Sequence, residues 1–286
     1  MLHHDNTNQR LIGVTGFDHR KNDVIYRFPS TSSSVVGTSI KSATIFFGGD
    51  VQDFREEMTS NRANLRHAQW SLDATADVLA KKFPTSLVLV VRPAEISGQT
   101  FSRFVNFVVQ NPSDHAPRFS TNQGAVRHLL ALLQSVSTQL GIADLTKQSD
   151  VEFRLVGFSK GCVVPNQILN EYEHASNFPE LLEFVRRISK FYLLDGGHQG
   201  TKELYVTDRK VMEKVREVVA IEGVAFAVHV TPYQVQDSNR PWIARDEKRF
   251  VEICRELGFP IERKLHFAGE PKSIDNHFRV LKEFEP

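Results

Sequence analysis

The sequence predicts an α/β fold in which a mostly parallel sheet of eight strands has helices on both faces. The first observation is that largely apolar runs, such as residues 43–47 and 86–91, alternate with stretches of helical periodicity, such as residues 71–83 and 124–140. Strands that are apolar on both sides belong to parallel sheets buried between helices. The second observation is a G-x-S-x-G pentapeptide at residues 157–161, between an apolar run and a helix-like stretch.

The elements follow one another along the whole chain. Residues 11–14 and 24–28 are predicted to form an N-terminal antiparallel pair of strands. The later predicted strands are residues 43–47, 86–91, 153–156, 191–194, 224–230 and 264–267, and the predicted helices are residues 71–83, 124–140, 162–169, 181–188, 211–219, 246–257 and 278–284. Ser71 is the expected N-cap of its helix. Because no repeat or linker interrupts the alternation, we predict a single domain over residues 1–286, with residues 1–9 as a disordered tail.

Composition excludes several classes of function. The net charge of +1 argues against nucleic acid as a partner, since phosphate binding needs a concentrated basic excess. No apolar run is long enough to predict a transmembrane segment. The two cysteines, Cys162 and Cys254, form no C-x-x-C pair, and Cys162 is expected to be a packed core thiol. The sequence gives no sign of a metal site or an organic cofactor.

The pentapeptide is the candidate nucleophile elbow, with Ser159 as the nucleophile. Gly157 and Gly161 allow the strand and the helix to approach closely enough to force a strained turn at the serine. A serine hydroxyl is a weak nucleophile at neutral pH, so the site also requires a general base and an oxyanion hole.

The base and its acid must come from later strand ends. Counting the N-terminal pair makes the Ser159 strand the fifth of eight, and with the chain order Ser, Asp, His this predicts an α/β-hydrolase-like fold. His277 follows the last predicted strand and is the expected base. The acid is left open between Asp237, which follows the seventh strand, and Asp195, which follows the sixth. The strand count favours Asp237.

Three other histidines compete with His277 for the role of base. His229 and His266 lie inside predicted strands and are expected to be packing residues, which leaves His198 as the realistic rival.

The oxyanion hole needs two backbone N–H donors. One is expected from Lys160, directly after the nucleophile, and the other from Gly49 or Asp50 in the loop after the third strand. A carboxylate at Asp50 is unexpected there, because it disfavours negative charge developing nearby.

Residues 97–122 form a long predicted loop that carries Phe101, Phe104, Phe107 and Phe119. Such a loop either walls an apolar acyl pocket or packs as a satellite core. The connection at residues 196–208 is short, so no large lid is expected there.

Several segments of this sequence resemble the chromosome 2 open reading frame 69 family. They are residues 46–52, 70–72, 157–164, 194–198, 229–235 and 276–280. The resemblance implies an α/β-hydrolase-like fold, a serine hydrolase whose substrate is not established, and a mitochondrial location. The N-terminus does not read as a transit peptide, which keeps a cytoplasmic location as the alternative.

The predicted function is that of a serine hydrolase acting on a small-molecule ester or thioester. Transfer of the acyl group to an acceptor other than water would use the same residues. The alternative from another class is a hydrolase-like scaffold or regulatory binding protein without turnover, whose protein partner is unknown.

Overall fold

The computed structural model describes residues 9–30, 40–200, 203–219 and 223–286. The described residues form strands β1 (Gln9–Thr15), β2 (Lys21–Arg27), β3 (Ser42–Phe47), β4 (Leu87–Val91), β5 (Glu95–Ser97), β6 (Phe101–Arg103), β7 (Val109–Gln110), β8 (Pro117–Arg118), β9 (Glu152–Phe158), β10 (Ile188–Leu194), β11 (Ala225–Val230) and β12 (Ile261–Leu265). They also form helices α1 (Arg55–Ser60), α2 (Leu72–Lys82), α3 (Ala125–Leu140), α4 (Val163–Asn170), α5 (Tyr172–Ala175), α6 (Pro179–Arg186), α7 (Arg209–Val218), α8 (Pro232–Val235), α9 (Trp242–Glu256) and α10 (Ile274–Glu283).

Eight strands form the main sheet in the order β1-β2-β4-β3-β9-β10-β11-β12. The pairs β1–β2 and β2–β4 are antiparallel, and the remaining pairs are parallel. β9 is the fifth of these strands along the chain, as the sequence predicts. The carboxyl ends of β3, β9, β10 and β11 therefore lie side by side at one edge, which is where α/β folds assemble their sites.

Both faces of the sheet are buried at its centre, which is why a central strand such as β4 is apolar throughout. In β4, Leu87 and Leu89 belong to one core cluster, whereas Val88 and Val90 belong to the other. Helices α3, α4, α7 and α9 cover the first face, and α2 and α10 cover the second. Full burial of one such side chain contributes about 1.5–3 kcal/mol to stability. The predicted eight-stranded, mostly parallel sheet between helix layers is confirmed.

Local signals in the sequence explain several element ends. Ser71 caps α2 as predicted, because its hydroxyl accepts a hydrogen bond of 3.2 Å from the Ala74 N–H. The last helix begins at Ile274, earlier than predicted, so His277 lies in the first turn of α10 and not in a loop. The Ser273 hydroxyl caps this helix by accepting a 3.1 Å bond from the Asn276 N–H.

The long segment 97–122 contains the short strands β6, β7 and β8 and is not a bare loop. Phe104 and Phe107 are buried and pack edge-to-face against Phe47, so they extend the core. Phe101 is 41% exposed. The satellite-core interpretation therefore holds for the two central phenylalanines.

Residues 1–8 of the predicted tail lie outside the described residues. Gln9, the last residue of the predicted tail, already pairs with Tyr26 in β1, so the predicted tail extends one residue too far. The single domain stays a prediction. Within the described ranges, no helix combines the length and apolarity needed to cross a bilayer.

Candidate active site

Ser159 sits on a sharp turn between β9 and a 3-10 turn that spans Ser159–Cys162 and leads into α4. Its φ is 52°, in the left-handed region, which costs a non-glycine residue on the order of 1–3 kcal/mol. A Cβ added at Gly161 would lie 2.0 Å from the Phe47 carbonyl oxygen, and one at Gly157 would lie 2.8 Å from Cys162 Cα. Both positions therefore require glycine, as the elbow motif predicts. Ser159 itself is 8% exposed.

The loop after β3 lies against the nucleophile. A Cβ added at Gly49 would lie 2.7 Å from Ser159 Cβ. The Gly49 N–H, however, donates a 2.9 Å hydrogen bond to Gln52 Oε1. The role of Gly49 as an oxyanion donor stays a prediction, and its N–H is already used within the turn. The backbone N–H groups of Asp50 and Lys160 stay the candidates.

His277 and Asp195 form a buried pair. His277 Nδ1 lies 2.6 Å from Asp195 Oδ2, and the two residues are 3% and 0% exposed. Asp195 follows β10 with a φ of 47°. Its two carboxylate oxygens accept 2.6 Å hydrogen bonds from the Thr231 N–H and the Thr231 hydroxyl. The carboxylate is thus held in one orientation, and its contact with Nδ1 leaves Nε2 as the ring nitrogen for chemistry.

Aromatic rings hold the His277 imidazole in place. Its centroid lies 4.7 Å from that of Phe158, the neighbour of Ser159, and 5.1 Å from that of Tyr233. These contacts limit rotation of the ring and keep it beside the elbow.

Ser159 and His277 line the same cleft, whose volume is about 340 Å³. Asp50, Gln199, Gln234 and Trp242 also line it. Among the described residues, no hydrogen bond joins the Ser159 hydroxyl to the His277 ring. Such bonds are often long in unliganded enzymes and tighten when substrate binds.

The site combines a strained serine elbow with a buried His–Asp pair, and both border one cleft. Known proteins share sequence and fold with this chain. The profile of the C2orf69 family matches residues 10–152 and 142–260. The chain belongs to the C2orf69 family. The mitochondrial protein C2orf69 homolog of Danio rerio is 38% identical and covers 96% of this chain and 85% of its own length. The human mitochondrial protein C2orf69 is 33% identical, with coverages of 84% and 73%.

These relatives are named as mitochondrial proteins, so the mitochondrial location predicted from the C2orf69 resemblance is confirmed.

Solved structures similar to this C2orf69 family member include esterases. A carboxylesterase of Bacillus cereus superimposes with a TM-score of 0.49 and 8% identity, covering 91% of this chain and 92% of its own. A lipase/esterase of Lactobacillus plantarum superimposes with a TM-score of 0.46 and 12% identity, covering 92% of this chain and 90% of its own. The chain has the α/β-hydrolase fold, and this assignment rests on the strand order and the elbow.

Asp237, the acid favoured by strand count, is not beside His277. Its Oδ2 lies 2.7 Å from Arg240 Nε, and its Oδ1 accepts a 2.9 Å bond from the Asn239 N–H. The Arg240 guanidinium, followed by the Asn239 N–H, lowers the pKa of Asp237. The preference for Asp237 is corrected to Asp195, because Asp237 is engaged within its own turn.

The rival histidines have other partners. His198 lines the cleft, but its Nδ1 accepts a 2.9 Å bond from the Gly200 N–H. Burial, with a contribution from Lys160, lowers the pKa of His198 to about 3. His229 and His266 contact each other, with 2.9 Å between Nδ1 and Nε2, and both are buried as packing residues.

A second polar network borders the elbow, and the sequence did not indicate it. The Lys160 side chain is fully buried, and its Nζ donates 2.7 and 2.8 Å hydrogen bonds to the His115 carbonyl oxygen and Gln199 Oε1. Gln199 Nε2 in turn donates a 3.0 Å bond to Asp50 Oδ2. Asp50 Oδ1 accepts a 2.8 Å bond from the Ser102 N–H.

Thr231 and Gln199 are the site residues that sequence reasoning missed. Thr231 directly follows β11, so a polar side chain at a strand end was the available signal. No feature of the sequence around Gln199 indicated that it belongs to the site. Cys162 is a buried core thiol as predicted, and burial raises its pKa beyond the ordinary range. In the part of the chain that the structure describes, no group of three or more His, Cys, Asp or Glu side chains is placed to hold a metal ion.

Proposed function

We propose that this C2orf69 family member is a serine hydrolase acting on esters or thioesters, with Ser159, His277 and Asp195 as its catalytic triad. The observation that carries the proposal is the 2.6 Å contact between His277 Nδ1 and the fully buried Asp195, in the cleft that the strained Ser159 also lines. A buried carboxylate that orients an imidazole beside a serine elbow is the arrangement that activates a hydroxyl for acyl transfer.

In the acylation step, Ser159 Oγ attacks the substrate carbonyl carbon and its proton passes to His277 Nε2. The carbonyl π electrons move to oxygen, where the backbone N–H groups of Asp50 and Lys160 would stabilise the charge. The tetrahedral intermediate collapses, the alkoxide or thiolate leaves, and the imidazolium returns the proton to it. The product is an acyl ester of Ser159.

In the deacylation step, water loses a proton to His277 as it attacks the acyl carbonyl. Collapse of the second intermediate breaks the bond to Ser159 Oγ, which regains the proton, and the carboxylic acid departs. Asp195 remains ionised and stabilises the imidazolium in both steps. Thr231 holds the carboxylate in position through its N–H and its hydroxyl.

The lining of the cleft favours a compact, polar substrate over a long acyl chain. Of the described residues that line it, none is one of the four phenylalanines of segment 97–122. Gln234 Oε1 and Trp242 Nε1 are buried and have no hydrogen-bond partner among the described residues. The polar side chains of Asp50, Gln199 and Arg240 also line the cleft, so a substrate with its own donors and acceptors fits it. We expect p-nitrophenyl acetate or butyrate to be cleaved faster than the palmitate ester.

Fluorophosphonate labelling tests the proposal without knowledge of the substrate. The wild-type protein should be labelled, Ser159→Ala should not, and Ser60→Ala, which changes an exposed serine in α1, should be labelled at the wild-type rate. Folding is checked by circular dichroism. Absence of labelling in folded wild-type protein would contradict the proposal and favour a scaffold without turnover. Product analysis then separates hydrolysis from acyl transfer to another acceptor.

A further inference from the structure

We propose that Lys160 is a positioning residue whose buried ammonium balances the charge of Asp50, so that the oxyanion hole can work beside a carboxylate. This inference rests on the proposed function and adds a role for the side chain of the residue after the nucleophile. It answers the difficulty raised by the sequence, that a carboxylate next to the hole opposes the negative charge that must develop there.

The loop that carries Asp50 is close to the reacting group. Gly49, its neighbour, packs against Ser159 so tightly that an added Cβ would lie 2.7 Å from Ser159 Cβ. Asp50 lines the cleft together with Ser159 and His277. Its ionised carboxylate would therefore raise the energy of an oxyanion bound at the Asp50 and Lys160 amides.

The hydrogen bonds fix where the Asp50 charge is held. Oδ1 accepts from the Ser102 N–H at 2.8 Å, and the Ser102 hydroxyl donates to the Gly49 carbonyl oxygen at 2.8 Å. Oδ2 accepts from Gln199 Nε2 at 3.0 Å. The carboxylate is thus tied to segment 97–122 on one side and to the loop after β10 on the other.

Gln199 connects this carboxylate to the Lys160 ammonium. The ammonium can only donate and the carboxylate can only accept, so the amide must present Oε1 to Lys160 and Nε2 to Asp50. The structure has this orientation. The amide is neutral and cannot carry a proton between them, so the two opposite charges stay separate and fixed. Their attraction gains strength because Lys160 is fully buried.

The titratable and charged groups around Lys160 agree with this assignment. Burial lowers the pKa of Lys160 to about 8, whereas Asp50 and Asp114 favour the ammonium and Arg103 opposes it. Burial raises the pKa of Asp50, whereas Lys160 and His277 favour its carboxylate. His198, which Lys160 helps to keep neutral, adds no charge at neutral pH. The pair Asp50 and Lys160 is therefore the local charge balance.

A double-mutant cycle on the rate of fluorophosphonate labelling tests the proposal. In this reaction the Ser159 Oγ–P bond forms, fluoride leaves, the proton passes to His277, and negative charge grows on the phosphoryl oxygen as it would on a carbonyl. Lys160→Met should slow labelling by roughly tenfold to a hundredfold, because the Asp50 charge is left unbalanced. The double variant Asp50→Asn/Lys160→Met should recover most of that loss. Lys81→Met, an exposed lysine of α2, is the matched control and should not change the rate.

The proposed charge balance would be overturned if the double variant lost labelling rate by the sum of the two single losses. A wild-type labelling rate in folded Lys160→Met would overturn it as well. Neither result would contradict the proposed triad. Failure of the wild-type protein to label at all would instead overturn the proposed function.

The pH dependence gives a measurement that does not require Lys160→Met to fold. The wild-type labelling rate should fall as the pH rises past about 8, since the ammonium loses its proton. In Asp50→Asn the fall should move to lower pH, because the group that favours the ammonium most is gone. In Lys160→Arg the fall should disappear, because a guanidinium stays charged. A fall at the same pH in all three proteins would overturn the proposal.

Discussion

Two hydrogen-bonded networks flank Ser159, and they hold their charges differently. In the His277 network (His277, Asp195 and Thr231), the carboxylate is fully buried and touches the imidazole directly at 2.6 Å. In the Lys160 network (Lys160, Gln199 and Asp50), the carboxylate reaches the ammonium only through an amide. Both networks contain one acid and one base, yet only in the first do the acid and the base contact each other directly.

The difference shows how similar residue types serve different purposes. A carboxylate in direct contact with imidazole can stabilise a proton that arrives and leaves during one turnover. A carboxylate and an ammonium separated by a neutral amide exchange no proton, and their fields cancel in part at the neighbouring hole. We therefore expect the His277 network to control the rate of proton transfer and the Lys160 network to control the stability of the oxyanion.

Removing the acid of the His277 network should have the largest effect. Asp195→Asn should lower kcat by roughly 10³- to 10⁴-fold, because an amide no longer stabilises imidazolium or selects the ring tautomer. The measurement is turnover of a short-chain p-nitrophenyl ester. Asp237→Asn is the matched control and should change kcat by less than about threefold, since Asp237 contacts Arg240 and not His277. Equal losses in both variants would remove the distinction between the two aspartates.

Acid should destabilise the fold because the buried His198, unlike His277, is not paired with a carboxylate in the described residues. Burial lowers the pKa of His198 to about 3, whereas the unfolded value is near 6.5, so the unfolded chain binds more protons between these values. Stability is therefore lost as the pH falls from about 6.5 towards 3. At pH 5 this one residue accounts for up to about 2 kcal/mol.

Urea unfolding at pH 7.5 and pH 5 checks this. The decrease in the free energy of unfolding between pH 7.5 and pH 5 should be smaller in His198→Asn than in wild type. An unchanged drop would mean that His198 is not neutral in the folded protein.

Removing one hydrogen bond to the Asp195 carboxylate, while keeping the carboxylate itself, should lower kcat less than Asp195→Asn does. Thr231→Val keeps the backbone N–H bond to Asp195 Oδ1 but loses the hydroxyl bond to Oδ2. We expect kcat to fall about tenfold and the free energy of unfolding to fall by about 1–3 kcal/mol. Thr231→Ser retains the hydroxyl and should stay near wild type in both assays. If Thr231→Ser lost as much activity as Thr231→Val, the hydroxyl bond would not be the reason.

The smallest effect is expected from the bridge of the Lys160 network. Gln199→Ala leaves both charges in place and removes only the tether between them, so the labelling rate should fall by roughly threefold to tenfold. Gln199→Glu adds a negative charge beside the hole and should reduce the rate further. A larger loss in Gln199→Ala than in Lys160→Met would show that tethering, and not charge, is what this network provides.

The sequence by itself determined the alternation of apolar strands and amphipathic helices, the two glycines that the Ser159 turn demands, and the position of His277 after the last strand. These are local properties, because periodicity and turn chemistry act between residues that are near each other in the chain. They were sufficient to predict the layered sheet and to place the expected nucleophile and base at one edge.

Only the tertiary structure decided which carboxylate faces His277. It also decided which backbone N–H near the oxyanion hole is already used in a hydrogen bond. Asp195 follows β10 and is oriented by Thr231 from a distant segment, whereas Asp237 lies beyond α8 and is engaged by neighbours in its own turn. Thr231 turns Asp195 towards the imidazole, Arg240 holds Asp237 elsewhere, and Gln52 occupies the Gly49 N–H. A strand end specifies where a residue lies along the sheet edge, but hydrogen bonds between separate loops specify where its charge points.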